Sequence, residues 1–112
     1  MDYDRRLHSK YLILYHIILV TKYRRRILNF LDLVPVFRKI EKNSNFILIE
    51  IGTDSDHVHL LIQSIPNISI SQIIKRLKQE STIVCWKQHS EILRKFYWKK
   101  KILWSAEDKK LC

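Results

Sequence analysis

Two histidines are separated by a single valine in the string Asp56-His57-Val58-His59. Successive side chains of a β-strand point to opposite faces, so His57 and His59 would project from the same face if this segment is a strand. Two imidazoles placed in this way are able to hold one divalent cation, which would polarise an oxygen atom of a bound substrate. Asp56 would add negative charge at the edge. The pattern therefore predicts a metal site at His57 and His59, and the alternative is a half-exposed strand without a ligand.

The residues around the pair indicate which way it faces. The even positions of segment 57–63 are all apolar, whereas three of the four odd positions are polar. We expect the apolar side chains to face the helices and the imidazoles to lie on the opposite face of the sheet. His16 would lie on a neighbouring strand, and Gln63 is a candidate third ligand on the same face, although such a residue is more often solvated. The apolar set consists of Val58, Leu60 and Ile62.

The elements that would position the pair begin with a central strand at residues 11–20, which are apolar on both alternating faces. A first helix is predicted from Leu33 to Ile40, because apolar residues recur there at helical spacing and Pro35 falls in the first turn. Strands are predicted at residues 46–51 and 57–63, and the turn-forming residues between them indicate a hairpin.

A second helix is predicted to begin with a capping box at Ser69 and Gln72 and to continue as an apolar stripe from Ile70 to Val84. The segment Ile102-Leu103-Trp104 is a predicted fourth strand. The order strand, helix, strand, strand, helix, strand predicts a ferredoxin-like α+β sandwich, with an antiparallel sheet and two helices on one face. The 112 residues fit a single domain that spans positions 1–112.

The overall composition favours a nucleic-acid partner. Lys and Arg number 21 against 11 acidic residues, a net charge of +10, while 46% of the residues are apolar and sufficient for a folded core. The longest apolar run, residues 11–20, is too short to span a bilayer, and the N-terminus lacks the pattern of a secretory signal. Cys85 and Cys112 form no metal-type pair or disulfide framework, so we expect a cytoplasmic protein. The single glycine argues against a glycine-rich phosphate loop.

Basic residues cluster in three places that we predict to contact phosphates, with a solvated surface as the alternative for each cluster. The third cluster lies in segment 94–101, where Phe96, Tyr97 and Trp98 interleave with cations as in a groove for a single strand. Its alternative is that Phe96 and Trp98 belong to the core. The predicted contacts are Lys22, Arg24, Arg25 and Arg26 after the first strand, Lys75, Arg76 and Lys78 on the second helix, and Lys99 and Lys100.

Several motifs occur in the order found in a known family. The segment from Tyr15 to Arg25 precedes the histidine string, and Lys78-Gln79-Glu80-Ser81 and Leu103-Trp104-Ser105 follow it. Together with segment 56–62, they resemble the single-tyrosine HUH transposases of insertion sequences of the 200/605 type. The resemblance extends from about residue 10 to residue 105 and rests on the combination of motifs.

The resemblance implies a homodimer that acts on single-stranded DNA folded into hairpins. In that family the two histidines of the HUH motif bind Mg²⁺ or Mn²⁺, which polarises the scissile phosphate. A tyrosine then attacks, which forms a 5′-phosphotyrosine and frees a 3′-OH. By this resemblance His57 and His59 are the metal ligands, and the cofactor is Mg²⁺ or Mn²⁺.

The sequence departs from the family after Ser105. There the family has a further strand and then a helix with the nucleophilic tyrosine and, one turn later, a glutamine ligand. Residues 106–112 match neither, so we expect that a frameshift or early stop removed this helix and that the chain is defective in cleavage. No catalytic residue is identified, because the other tyrosines are expected to lie in the core, in the N-terminal tail or among cations.

Two other functions share these sequence features. A non-enzymatic module of the RNA-recognition type has the same order of elements, but it presents paired aromatics on its central strands, where this sequence has histidines. A metal-dependent nuclease would use a histidine-bound ion to activate water, but it usually needs carboxylate ligands as well, and only Asp56 is near.

Overall fold

A computed structural model describes residues 12–106 and 109–111. The sheet has the order β2-β3-β1-β4, and all neighbouring strands are antiparallel. This is the arrangement of a ferredoxin-like sandwich, so the predicted fold is confirmed. The strands are β1 (Ile13–Val20), β2 (Ile47–Thr53), β3 (His57–Ser64) and β4 (Lys109–Leu111), and the helices are α1 (Val34–Lys42) and α2 (Ile70–Leu93).

The core lies between one face of the sheet and the two helices. Val58, Leu60 and Ile62 of β3 are fully buried, as are Ile17 and Leu19 of β1, which alternate with outward-facing residues. Each such side chain stabilises the fold by about 1.5–3 kcal/mol relative to an exposed one. From the helices, the core receives Phe37 and Ile40 of α1 and Ile73, Ile74 and Leu77 of α2.

The two helices begin close to the predicted positions. Pro35 lies in the first turn of α1, where its missing N–H costs no hydrogen bond. Ser69 is the N-cap residue of α2, but the predicted side-chain capping contact is wrong: the Ser69 carbonyl, not its hydroxyl, accepts from the N–H groups of Gln72 and Ile73. Within the described residues, no helix combines the length and the apolar character needed to cross a bilayer.

Helix α2 is longer than the apolar stripe predicted for it. It continues to Leu93 because Cys85, Trp86 and Leu93 prolong its buried face, and it deviates from helical geometry at His89 (φ −133°). Residues 85–93, beyond the end of the predicted stripe at Val84, therefore also belong to the helix.

The predicted fourth strand at residues 102–104 is wrong, because β4 lies at Lys109–Leu111, beside His16–Ile18 of β1. Residues 102–104 contribute one isolated bridge, between Thr21 and Trp104. The segment instead binds α2: the Trp104 indole donates to Ser81 Oγ at 2.9 Å and the Leu103 N–H donates to Thr82 Oγ1 at 3.2 Å. Leu103 and Trp104 are buried, so their apolar character reflects packing under the helix and not pairing in the sheet.

Strand β2 forms one edge of the sheet and is irregular at Ile49, where the register against β3 shifts. The backbone of Leu48 is bound by α1 rather than by another strand. Its N–H donates to Glu41 Oε2 at 2.6 Å, and its carbonyl accepts from Arg38 Nη1 at 2.5 Å. Further along β2, Gly52 lies directly across from His59.

Candidate metal centre and nucleic-acid interface

The imidazoles of His57 and His59 lie side by side on the sheet face that the helices leave open. Their Nε2 atoms are 3.0 Å apart, and both side chains are partly exposed. The predicted orientation is confirmed, since the residues that alternate with them along β3 are fully buried on the helix side. The strand geometry therefore aims two nitrogen atoms at one point near the surface.

Asp56 holds His57 in the orientation that a ligand needs. Its Oδ1 atom accepts a hydrogen bond from His57 Nδ1 at 2.9 Å, which puts the lone pair of a neutral His57 ring on Nε2, the atom that faces His59 Nε2. This hydrogen bond is the main reason that the pKa of Asp56 lies below its ordinary value; burial opposes the shift, and electrostatic interactions with His57 and Arg24 add to it. Asp56 therefore stays ionised and orients the His57 ring through its Nδ1 atom.

His59 is held in its neutral form by its surroundings. Partial burial lowers its pKa, and repulsion from the charges that His57 and His16 can carry lowers it further. The predicted neighbour His16 does lie on the same face, with its ring centroid 5.8 Å from that of His59. A neutral imidazole is the form that binds metals.

The separation of the two nitrogens fits a shared metal ion. Nitrogen ligands lie about 2.0–2.1 Å from a bound ion, so two neighbouring ligands of an octahedral ion are about 3.0 Å apart. The observed 3.0 Å between the Nε2 atoms agrees with this value. Across residues 12–106 and 109–111, no three or more His, Cys, Asp and Glu side chains are grouped closely enough to hold an ion. The protein would thus supply two ligands, and water or phosphate oxygens would supply the others.

One acidic residue near the pair was not identified from the sequence. Asp54 Oδ2 lies 4.0 Å from His57 Nε2, which places a carboxylate near the candidate ligand atom of His57. Asp54 had been taken as part of the turn, and its position three residues before His57 in an acidic turn is the signal that could have identified it. Gln63 does not join the group, because four residues of strand place it about 13 Å from His59 along β3.

The basic turn after β1, residues 21–26, is held next to the histidine pair by contacts with Asp56. The Arg24 guanidinium lies 3.8 Å from Asp56 Oδ2, and the Thr21 N–H donates to the Asp56 carbonyl at 2.9 Å. Tyr23 and Arg24 have φ values of 61° and 51°, in the left-handed region that residues with side chains rarely adopt. Such conformations persist only where surrounding contacts enforce them, and they cluster at functional sites.

Two contacts from the segment after α2 and one within the turn hold its backbone in place. The Lys22 N–H donates to the Leu103 carbonyl at 2.6 Å, and the Lys22 carbonyl accepts from the Tyr97 hydroxyl at 2.9 Å. The Thr21 hydroxyl donates to the Arg25 carbonyl at 2.7 Å. The side chains of Arg24, Arg25 and the neighbouring Arg26 are exposed, and these hydrogen bonds fix the backbone that carries them.

The other predicted phosphate contacts lie elsewhere. Lys75, Arg76 and Lys78 belong to α2, in the layer behind the sheet, so the structure does not bring them together with the histidine pair. Arg76 forms an ion pair with Glu80 and donates to the Asn43 carbonyl at 2.8 Å. Lys78 donates to the Ser105 carbonyl at 2.9 Å. Lys99 and Lys100 are exposed in the segment after α2.

The aromatic residues of segment 94–101 divide between core and surface. Tyr97 is 1% exposed, and burial raises its pKa to about 12. Phe96 is partly buried against Phe30, with ring centroids 5.6 Å apart. Trp98 is 83% exposed, so the alternative that placed it in the core is wrong. Of the three rings in this segment, Trp98 is therefore the accessible one, and Tyr23 in the turn after β1 is also exposed, at 63%.

Comparison with known proteins gives consistent results. A family model described as "Transposase IS200 like" matches residues 9–107. The transposases for insertion sequence element IS200 from Salmonella typhimurium and Salmonella typhi are each 26% identical to this chain over 100 residues. The match covers 87% of this chain, which spans 64% of the length of those relatives.

Solved structures show the same fold. A transposase candidate from Deinococcus radiodurans R1 superposes with a TM-score of 0.77 at 27% identity, over 94% of this chain and 82% of the other. A REP-associated tyrosine transposase bound to a REP hairpin superposes with a TM-score of 0.62 at 14% identity, over 93% of this chain and 59% of the other. The resemblance predicted from the motifs is confirmed.

Proposed function

Because this chain belongs to the IS200-like transposase family, we propose that it is a DNA transposition protein that binds single-stranded hairpin DNA and holds a divalent cation at His57 and His59. The observation that carries the proposal is the 3.0 Å separation of the two Nε2 atoms on the open face of the sheet. The exposed arginines of the fixed turn beside them would contact the DNA backbone. A hairpin substrate is supported by the REP hairpin that one structural neighbour binds.

In this proposal the ion is Mg²⁺ or Mn²⁺, and when bound it would act as a Lewis acid on a phosphate oxygen. Asp56 fixes the ring of His57, and the lowered pKa of His59 keeps that ring ready as a ligand. Asp54, 4.0 Å from His57 Nε2, adds negative charge that favours a cation at this place. The arginines of the turn hold the strand against the open face.

The described tyrosines do not supply an obvious nucleophile. Tyr97 is buried, and a pKa of about 12 keeps its hydroxyl protonated. Tyr15 faces the core side of β1, and Tyr23 stands among lysines in the turn. Tyr3 and Tyr11 lie outside the described residues. We therefore propose that this chain by itself retains hairpin DNA without forming a covalent adduct. The family resemblance adds the proposal that it does so as a homodimer.

The RNA-recognition alternative receives less support. Such a module stacks bases on aromatic residues of its central strands. In β1 and β3 the open face presents the imidazoles of His16, His57 and His59 together with aliphatic residues and Gln63. A single-strand binding surface built on that face would lack the rings that define the module.

The test incubates the protein with labelled single-stranded DNA hairpins, with and without Mn²⁺, and scores retention, nicking and covalent adducts separately. An unpaired strand of the same composition is the control for hairpin recognition. We expect retention without adducts. Retention should persist in His57→Ala, because the ion is assigned to chemistry and not to holding DNA. A covalent adduct would contradict the proposal that this chain by itself does not cleave DNA, and equal retention of hairpin and unpaired control would contradict hairpin recognition.

A further inference from the structure

A second surface of the protein combines exposed rings with lysines. Trp98 is the most exposed large apolar side chain among the residues that the structure describes, and Tyr23 is 63% exposed. We call the surface formed by Tyr23, Trp98, Lys22, Lys99 and Lys101 the Trp98 platform. Leaving an indole in water forfeits the free energy of its burial, so an indole held outside by cationic neighbours indicates a binding role.

The lysine side chains tie the two rings together. Lys101 Nζ lies 5.0 Å from the centre of the Tyr23 ring and 5.9 Å from that of Trp98. It also lies within 3.5 Å of the Tyr23 hydroxyl. Lys99 Nζ lies 4.8 Å from the Trp98 ring. Ammonium groups at these distances are attracted electrostatically to the face of an aromatic ring, and they place positive charge next to that ring.

The backbone beneath the platform is anchored at both ends. The Trp86 indole donates to the Lys101 carbonyl at 2.7 Å, which fixes segment 98–101 to α2. Tyr23 is held by the strained turn, whose Lys22 carbonyl accepts from Tyr97. The side chains that protrude are thus presented by backbone positions set in advance, which lowers the entropy cost of binding.

We propose that the Trp98 platform stacks an unpaired base of single-stranded DNA while Lys99 and Lys101 bind the phosphates next to it. The inference rests on the proposed function and names the part of the DNA that this surface recognises. Stacking on aromatic rings flanked by cations is how proteins bind unpaired nucleotides without reading their sequence. An anionic membrane is the other polyanion that attracts Trp and Lys, but it is bound by an amphipathic helix, whereas residues 98–101 are not helical.

Tryptophan fluorescence offers a direct test. The chain has three tryptophans, and Trp86 and Trp104 are 7% and 1% exposed, so quenching by acrylamide reports mainly on Trp98. The protein is titrated with a DNA hairpin that carries an unpaired single-stranded flank, with the same oligonucleotide carrying abasic sites in the flank, and with anionic phospholipid vesicles. We expect the oligonucleotide with bases to shield and quench Trp98 and the abasic strand to bind more weakly.

Variants separate stacking from simple contact. Trp98→Leu should weaken the affinity for the intact oligonucleotide by about 5- to 100-fold and that for the abasic strand much less. Trp98→Phe should restore most of the affinity, and Phe30→Leu, which alters a 63% exposed ring outside the platform, should leave it unchanged. The inference would be overturned by equal affinity for strands with and without bases, by wild-type affinity in Trp98→Leu, or by a fluorescence response to vesicles alone. If the wild-type protein binds DNA of neither kind, the proposed function itself fails.

Discussion

The hydroxyl of Tyr97 donates a hydrogen bond of 2.9 Å to the carbonyl of Lys22, a residue 75 positions earlier in the chain. The bond joins the segment after α2 to the strained turn after β1. One buried hydroxyl therefore helps to position both the arginines near the histidine pair and the Tyr23 ring.

Removing this hydroxyl should destabilise the protein measurably. Tyr97→Phe leaves the Lys22 carbonyl without its donor, and we expect the free energy of unfolding to fall by about 0.5–1.5 kcal/mol. Urea denaturation would measure this as a lower midpoint with an unchanged slope. Tyr23→Phe, which removes an exposed hydroxyl, is the matched control and should change stability by less than about 0.5 kcal/mol. Equal effects of the two changes would mean that the Tyr97 bond contributes nothing.

Stability should also decline at high pH. Burial raises the pKa of Cys85 from 9.0 to about 12 and that of Tyr97 from 10.0 to about 12. The unfolded chain loses these protons first, so the stabilisation is complete below pH 9.0 and is lost as the pH rises toward about 12. Denaturation midpoints across this range should show the decline, and Tyr97→Phe should show a shallower one above pH 10.0. Parallel profiles would exclude a contribution from Tyr97.

Asp56 should influence metal binding without touching the metal. Asp56→Asn weakens the acceptor that orients His57, and loss of such a partner lowers metal affinity about 10- to 100-fold. Titration with Mn²⁺ followed by electron paramagnetic resonance would measure the change, with Asp32→Asn as an exposed control. His59→Ala should abolish specific binding altogether. Wild-type affinity in both the Asp56 and His59 variants would remove the proposed metal centre.

Arg25 and Arg76 should behave differently toward DNA. Arg25 is exposed from the fixed turn, whereas Arg76 is engaged by Glu80 and by the Asn43 carbonyl behind the sheet. Arg25→Ala should weaken hairpin retention and reduce the salt dependence by about one phosphate contact. Arg76→Ala should alter stability more than retention. Retention assays over a range of salt concentrations would decide, and the reverse order of effects would place the DNA on the helix layer.

The sequence contained enough information for the fold and for the histidine pair, because both follow from regular patterns. Alternation along β3 separates His57 and His59 from the buried residues, and this needs no knowledge of the rest of the chain. Residues 102–104 were misassigned because a short apolar run has the same composition in a strand as under a helix. The inward turn of Tyr97 and the outward turn of Trp98 follow no period, since that segment is irregular and its contacts are set by residues far away in sequence.

The binding of the Leu48 backbone by Arg38 and Glu41 limits how copies of this protein can associate. An exposed strand edge has unpaired N–H and carbonyl groups to which a strand of a second chain can bind. At Leu48 this is prevented, because both main-chain groups already form hydrogen bonds with α1. Two copies that joined their sheets would have to do so at another level of β2 or at the border formed by β4. The helix that helps to build the core thus also protects the chain against growth of the sheet on its own side.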